Sequence, residues 1–355
     1  MKKFKNILLS IISLFFIIGS INVIIDPFFH YHKPLSFLNY PFFSNQQRYI
    51  NDGILKNFDY NAFIIGTSMT ENFRTSEFDS LFNVNSVKVP FFGASYKEIN
   101  DNLETGLKNK KNIKYVLRGL DYNAINKESR EMTYKVYPCY LYDENIFNDY
   151  KYFLSRGSFF QSIIILIRSL FFKEKMNFDD YSRWNENFIP GKENILKTYK
   201  RIIKKDIIKY LSQEDIDKID KNIKENVIKL PKEYPNVKFI YFITPYSIIY
   251  WDDLNQKGEL EKQILAEKYM IEKILEIPNI ELYSFFNNYE MITNLDNYRD
   301  AGHYMGNIND QILVWIKNKE YRLTKENYVE YINKNLDFYK YYNYDKIFKE
   351  SAESL

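Results

Sequence analysis

Ala62-Phe63-Ile64-Ile65-Gly66-Thr67-Ser68 is a short apolar run that ends in glycine and delivers a serine. Such a run, bounded by a turn residue, reads as a buried strand. A serine on the turn just past a strand exposes its hydroxyl at the carboxyl edge of a sheet, where α/β folds do chemistry. Far downstream stands Asp300-Ala301-Gly302-His303. The chain has three histidines, and His30 and His32 directly follow a hydrophobic N-terminal segment, so His303 is the only one in the body of the protein. If Ser68 is a nucleophile, the base is His303 and its partner carboxylate is Asp300. A neutral imidazole takes the serine proton, and a carboxylate on the other ring nitrogen fixes the tautomer.

Outward from Ser68 the chain alternates strands and helices. Ser86-Val87-Lys88-Val89 alternates and runs into Pro90, a second strand. Ser95-Tyr96-Lys97-Glu98 is a capping box, and Ile99, Leu103 and Leu107 follow at helical spacing. Further strands are predicted over 113–118, Val237–Ile243 and Ile280–Tyr283, with helices from about Glu259 to Leu275 and over Asn307–Ile316. This order implies a parallel sheet with helices on both faces, a three-layer α/β/α domain.

Four blocks of this layout, within residues 58–318, resemble the SGNH/GDSL hydrolase superfamily. Gly66-Thr67-Ser68 stands where that family carries Gly-Asp-Ser and its nucleophile. Gly93-Ala94-Ser95 stands at the oxyanion-hole glycine, Gly119-Leu120-Asp121-Tyr122 at Gly-x-Asn-Asp, and Asp300-x-x-His303 matches without change. The resemblance implies a Ser68–His303–Asp300 triad. It also implies an oxyanion hole from the Ser68 and Gly93 N–H groups with a third donor from the third block. There Asp121 replaces the usual asparagine, and a carboxylate repels developing negative charge. Asn123, two residues on, is the alternative amide. Thr67 replaces an aspartate that is not a triad member.

The remaining sequence sets the context. Met1-Lys2-Lys3-Phe4-Lys5-Asn6 precedes an uncharged run from Ile7 to Ile25. At about 1.5 Å per residue that run spans about 28 Å, close to the hydrocarbon thickness of a bilayer. The preceding lysines keep the N-terminus cytoplasmic and export the rest. A cleaved signal peptide is the competitor, but the run is long for one and lacks a small-x-small site. Residues 26–57 read as an irregular membrane-proximal connector, 58–320 as the α/β domain, and 321–355 as a polar, tyrosine-rich tail without chemistry. In the tail, Tyr328, Tyr331, Ile332 and Leu336 share a helical face. Residues 125–235 are too long for a loop and must carry helices. One starts after Ser212, with Ile216, Ile219, Ile223, Val227 and Leu230 at helical spacing. Another segment, Phe159–Phe172, is almost wholly apolar but too short to span; it packs on the core, covers the active site or lies on the membrane. The insertion is expected to cover the carboxyl edge of the sheet.

Net charge is +3, from 49 basic and 46 acidic residues, which argues against a nucleic-acid surface. An 18% aromatic content suits sugar stacking, but abundant Ile, Lys and Asn make it a coding bias first. No P-loop or dinucleotide fingerprint is present, and no cofactor is expected. His30-x-His32 lacks the further ligands a metal site needs. Cys139, the single cysteine, reads as a buried or half-buried inert thiol.

Taken with the resemblance, a tethered domain outside a bacterial membrane meets cell-envelope glycans, and the family includes membrane-anchored members that add or remove O-acyl groups on such polymers. Three functions are expected: an esterase or O-acyltransferase on a cell-envelope glycan, a non-catalytic component of a polysaccharide assembly complex, and a lipid-directed esterase.

Overall fold

The computed structural model describes residues 2–143, 145–172, 176–201 and 207–352. It is a mixed α/β protein with a six-stranded, mostly parallel sheet and one apolar N-terminal helix. Helix α1 (Lys2–Ile25) is 24 residues long, about 36 Å, with a mean hydropathy of 2.6 over its most apolar stretch; it is long and apolar enough to cross a membrane. Most of its side chains are exposed; Gly19, Asn22 and Ile25, in its last two turns, are buried against the rest of the chain.

The domain begins earlier than residue 58. Helix α2 (Gln47–Asn57) lies in the stretch expected to be irregular. Ile50, Ile54 and Leu55 recur on one face and are fully buried, and the helix packs on its neighbours in the domain. Polar Gln47, Arg48, Asn51 and Asp52 are buried as well, which hid the apolar periodicity. Strand β1 (Ala62–Gly66) follows, then α3 (Thr75–Phe82), β2 (Ser86–Pro90), α4 (Tyr96–Asn109) and β3 (Tyr115–Leu120). The predicted capping box starts α4: Ser95 Oγ accepts the Glu98 N–H (3.3 Å) and Glu98 Oε2 accepts the Ser95 N–H (3.0 Å).

The insertion contains α5 (Arg156–Phe171) and α6 (Gln213–Ile223). Helix α6 runs on through a π-turn (Lys224–Ile228) into Lys229–Glu233, a turn that contains Pro231. Proline has no N–H to offer the carbonyl four residues back. That carbonyl, on Val227, accepts the Tyr241 hydroxyl instead (3.1 Å). Strand β4 (Lys238–Ile243), α7 (Ile248–Gln256), α8 (Leu260–Ile274), β5 (Ile280–Ser284) and α9 (Gly306–Asn318) complete the α/β alternation.

The sheet order is β2-β1-β3-β4-β5-β6, parallel through β5. Strand β6 (Arg322–Leu323) pairs antiparallel with β5, inside the segment expected to be a tail. Helix α10 (Tyr328–Tyr341) then packs on α8. The Tyr331 hydroxyl donates to Glu267 Oε1 (2.7 Å), and Tyr122 donates to Glu267 Oε2 (2.9 Å). Two residues of strand carry too little pattern to be seen in sequence, so the boundary at residue 320 is not a boundary of the fold.

From β1 the chain moves out to β2 and then returns past β1 to β3. The strand order therefore reverses between β1 and β3. The loops leaving their carboxyl ends diverge there, and open α/β sheets bind ligands in such crevices.

Candidate functional site

Ser68 stands on the loop leaving β1, at the start of a single turn of 3-10 helix (Ser68–Thr70). The loop is held from beneath by Thr70. This side chain is fully buried, and its hydroxyl donates to the Thr67 carbonyl (2.8 Å). Its methyl lies where a Cβ on Gly66 or Gly119 would stand, 2.5 and 2.9 Å away respectively. The two glycines, at the ends of β1 and β3, thus make room for one threonine that fixes the serine turn.

His303 is brought to Ser68 by a second set of ties. Asp300 Oδ1 accepts the N–H groups of Gly302 (3.0 Å) and His303 (2.8 Å), closing a tight turn. The Ala301 carbonyl accepts both the backbone N–H and the hydroxyl of Ser247, from the loop after β4. Beyond the histidine, Tyr304 and Asn309 both donate to the carbonyl of Met69, the neighbour of Ser68 (2.9 and 3.1 Å).

The result is a hydrogen-bonded chain. Ser68 Oγ lies 2.8 Å from His303 Nε2, across 235 positions of sequence. His303 Nδ1 lies 2.9 Å from Asp300 Oδ2 and 3.0 Å from Oδ1. With Nδ1 against a carboxylate, the neutral ring carries its proton there and leaves Nε2 to accept from serine. Burial alone would raise Asp300, but hydrogen bonds from the His303 ring and from two backbone N–H groups outweigh it and hold the carboxyl at about 2. Ser68, His303 and Asp300 line a cavity of about 480 Å³ with Gly93, Asn123, Tyr246 and Tyr250.

The sequence treated Thr67 and Asp121 as two independent departures from a pattern. In the structure they are one bonded pair. Thr67 Oγ1 donates to Asp121 Oδ2 (2.6 Å), and the Tyr246 hydroxyl donates to Asp121 Oδ1 (3.1 Å). Burial raises the Asp121 carboxyl, which counters the charge that would otherwise stand beside the serine. Gly93 has φ +61° with nothing near its missing Cβ, so its backbone conformation, rather than lack of space, calls for glycine. Among the described residues, neither the Ser68 nor the Gly93 N–H meets an acceptor. Asn123 lines the cavity as an exposed side chain.

Sequence reasoning missed five neighbours. Trp184, from the insertion, donates Nε1–H to the Ser68 carbonyl (3.4 Å) and sets its ring edge-on to His303, centroids 5.7 Å apart. Arg299 stacks over Phe188 (3.6 Å) and lies 3.5 Å from Asp300 Oδ2. Tyr250 packs edge-to-face on Tyr246. Only the adjacency of Arg299 to Asp300 was visible beforehand; the aromatics were lost among many others. The insertion therefore reaches the carboxyl edge through Trp184 and Phe188.

Elsewhere, His30 is set among Asp52 and Asp149, whereas the His32 ring nitrogens meet backbone carbonyls, so the two do not converge. Among the described residues no group of three or more His, Cys, Asp or Glu is arranged to hold a metal. Cys139 is exposed, contrary to the expectation of a buried or half-buried thiol. No family model matches the chain, and no curated protein or solved structure matches it.

Proposed function

We propose that the protein is a membrane-anchored serine esterase or O-acyltransferase of the SGNH hydrolase type, with a three-layer α/β/α domain outside a bacterial membrane, acting on acyl esters of a cell-envelope glycan. The 2.8 Å approach of Ser68 Oγ to His303 Nε2 is the observation that carries this reading.

In this mechanism Ser68 Oγ attacks the acyl carbonyl carbon while its proton passes to His303 Nε2. Asp300 holds the imidazolium that forms. The Ser68 and Gly93 N–H groups, with Asn123, receive the oxyanion; one such donor contributes about 3–4 kcal/mol to transition-state stabilisation. Collapse breaks the ester C–O bond, and Nε2 returns the proton to the leaving alcohol. Water or a sugar hydroxyl, deprotonated by the same nitrogen, then resolves the acyl-enzyme. Half-buried Tyr250 supports the glycan reading, since an aromatic ring at the cavity wall beside polar Asn123, Lys127 and Thr133 suits a sugar.

The test is labelling of the full-length protein in detergent with a fluorophosphonate serine probe. Labelling of Ser68 is expected, lost in Ser68→Ala and strongly reduced in His303→Ala. A folded parent that does not label would remove the catalytic reading in favour of a glycan-binding component of an assembly complex.

A further inference from the structure

Helix α5 (Arg156–Phe171) is built inside out. Its buried positions are Ser158, Ser162 and Ile165, whereas Phe160, Ile164, Ile167 and Phe171 are exposed. The exposed set is spaced by four, three and four residues, a single helical stripe, with Leu170 (79% exposed) beside it. A helix on a water-facing surface shows the reverse, with its apolar stripe turned inward. The segment was expected either to pack on the core, to cover the site or to lie on a membrane. Its largest apolar side chains do neither of the first two.

What lies against α5 identifies what covers it. The helix packs on α1, the apolar span. Asn22 of α1 is fully buried; its amide donates to the carbonyls of Phe153 (2.8 Å) and Ser155 (3.3 Å), and its Oδ1 accepts from Ser162 (3.0 Å). A polar side chain at membrane depth is costly unless paired in this way. Asp26, just past α1, accepts the Tyr152 hydroxyl (2.6 Å) and three backbone N–H groups, so the joint is fixed at both of its ends. The contact falls in the last two turns of α1, the depth at which a span leaves hydrocarbon. The exposed apolar surface of α1 and that of α5 therefore belong to two helices packed on each other. At 16 residues, about 24 Å, α5 is too short to cross. Arg156 and Arg168 lie over the Phe160 and Phe172 rings, 5.4 and 5.1 Å from guanidinium carbon to ring centroid, so cations flank the apolar stripe towards both ends of the helix.

We propose that α5 is a bilayer-embedded interfacial helix, its Phe160–Ile164–Ile167–Phe171 stripe in the outer acyl region, locked to α1 so that the domain is held in one orientation to the membrane rather than swinging on a tether. The occupant of the stripe is phospholipid. This does not depend on the chemistry assigned to Ser68.

The single cysteine makes the test direct. The full chain carrying Cys139→Ser receives one cysteine at Phe160, Ile164, Ile167 or Phe171, and at Lys221 on the exposed face of α6 as the control. Each is nitroxide-labelled and reconstituted into phosphatidylcholine–phosphatidylglycerol vesicles. Collision rates with oxygen, which concentrates in acyl chains, are compared with those of a water-soluble nickel complex. The four stripe positions should favour oxygen several-fold over the control. Equal access to nickel at the stripe and at Lys221 would overturn the proposal. Shielding of the stripe from both reagents would overturn it too, by showing that a second copy or another protein covers the helix.

Discussion

Replacing Gly66 by alanine tests the reasoning about how the serine turn is held. The new Cβ would stand 2.5 Å from Thr70 Cγ2, 3.1 Å from Thr70 Oγ1 and 3.4 Å from the Gly119 nitrogen. Carbon atoms prefer about 3.5–4.0 Å, so the first contact is deeply repulsive. Thr70 cannot swing away, because it is fully buried and its hydroxyl is bound to the Thr67 carbonyl. Overpacking in a closed site costs about 1–3 kcal/mol, and this contact belongs at the upper end, about 3 kcal/mol. For a domain of this size that is a fall of roughly 4–6 °C in Tm. Thr70→Ser alone deletes one methyl and costs about 1 kcal/mol while keeping the hydroxyl bond. If the clash is the cause, the two changes are strongly non-additive. Gly66→Ala made in the Thr70→Ser background should then sit within about 1 kcal/mol of Thr70→Ser alone, a coupling of about 2 kcal/mol. The assay is thermal unfolding by intrinsic fluorescence in detergent, with fluorophosphonate labelling of Ser68 as the functional readout. Gly66→Ala unfolding within about 1 °C of the parent, or no recovery in the double variant, would refute the account.

Asp300→Asn should fold and still bind substrate but lose about 10⁴-fold in acylation rate, because the amide no longer fixes the His303 tautomer. The same change tests a pH effect. The Asp300 carboxyl is lowered to about 2 from its ordinary 3.8, so its contribution is fully present above pH 4 and is lost as pH falls towards 2. Allowing for its partial exposure, the stability gap between parent and variant should be about 1–2 kcal/mol at pH 5 and close by pH 2. Asp121→Asn should behave oppositely. Its carboxyl is raised by burial, so the ionisable group costs stability as pH rises above 3.8; the variant should melt higher than the parent at pH 7 but not at pH 3.5. It should also label faster at neutral pH, since residual negative charge near the oxyanion is removed. Gly93→Ala meets no atom within 4 Å but must hold φ +61°, so a cost of about 1–2 kcal/mol and slower labelling are expected, with no rescue from shrinking a neighbour.

Where the chain obeys a short-range rule, the sequence was sufficient. The five parallel strands, the Ser95–Glu98 box and the helix after His303 each follow from periodicity or from a side chain meeting backbone three residues away. So does the apolar span of α1, which needs only a count of uncharged residues. The choice of His303 as the partner for Ser68 came from scarcity, since no other histidine lay within reach of the domain. The sequence was least informative where a residue's role depends on what lies opposite it in space. Helix α2 buries polar residues because Arg48 meets Glu98 and Asn51 meets Tyr181 and the Pro90 carbonyl, and burial of paired polar groups leaves no apolar period to read. Thr67 and Asp121 look like two unrelated departures until the turn after β1 and the turn after β3 are placed side by side. Trp184 reaches His303, and α5 turns its apolar stripe outward, through contacts that span more than a hundred positions. Local patterns report which face of an element is apolar; only the assembled chain decides whether that face meets a core, a partner strand or lipid, because burial is a property of the neighbours and not of the residue.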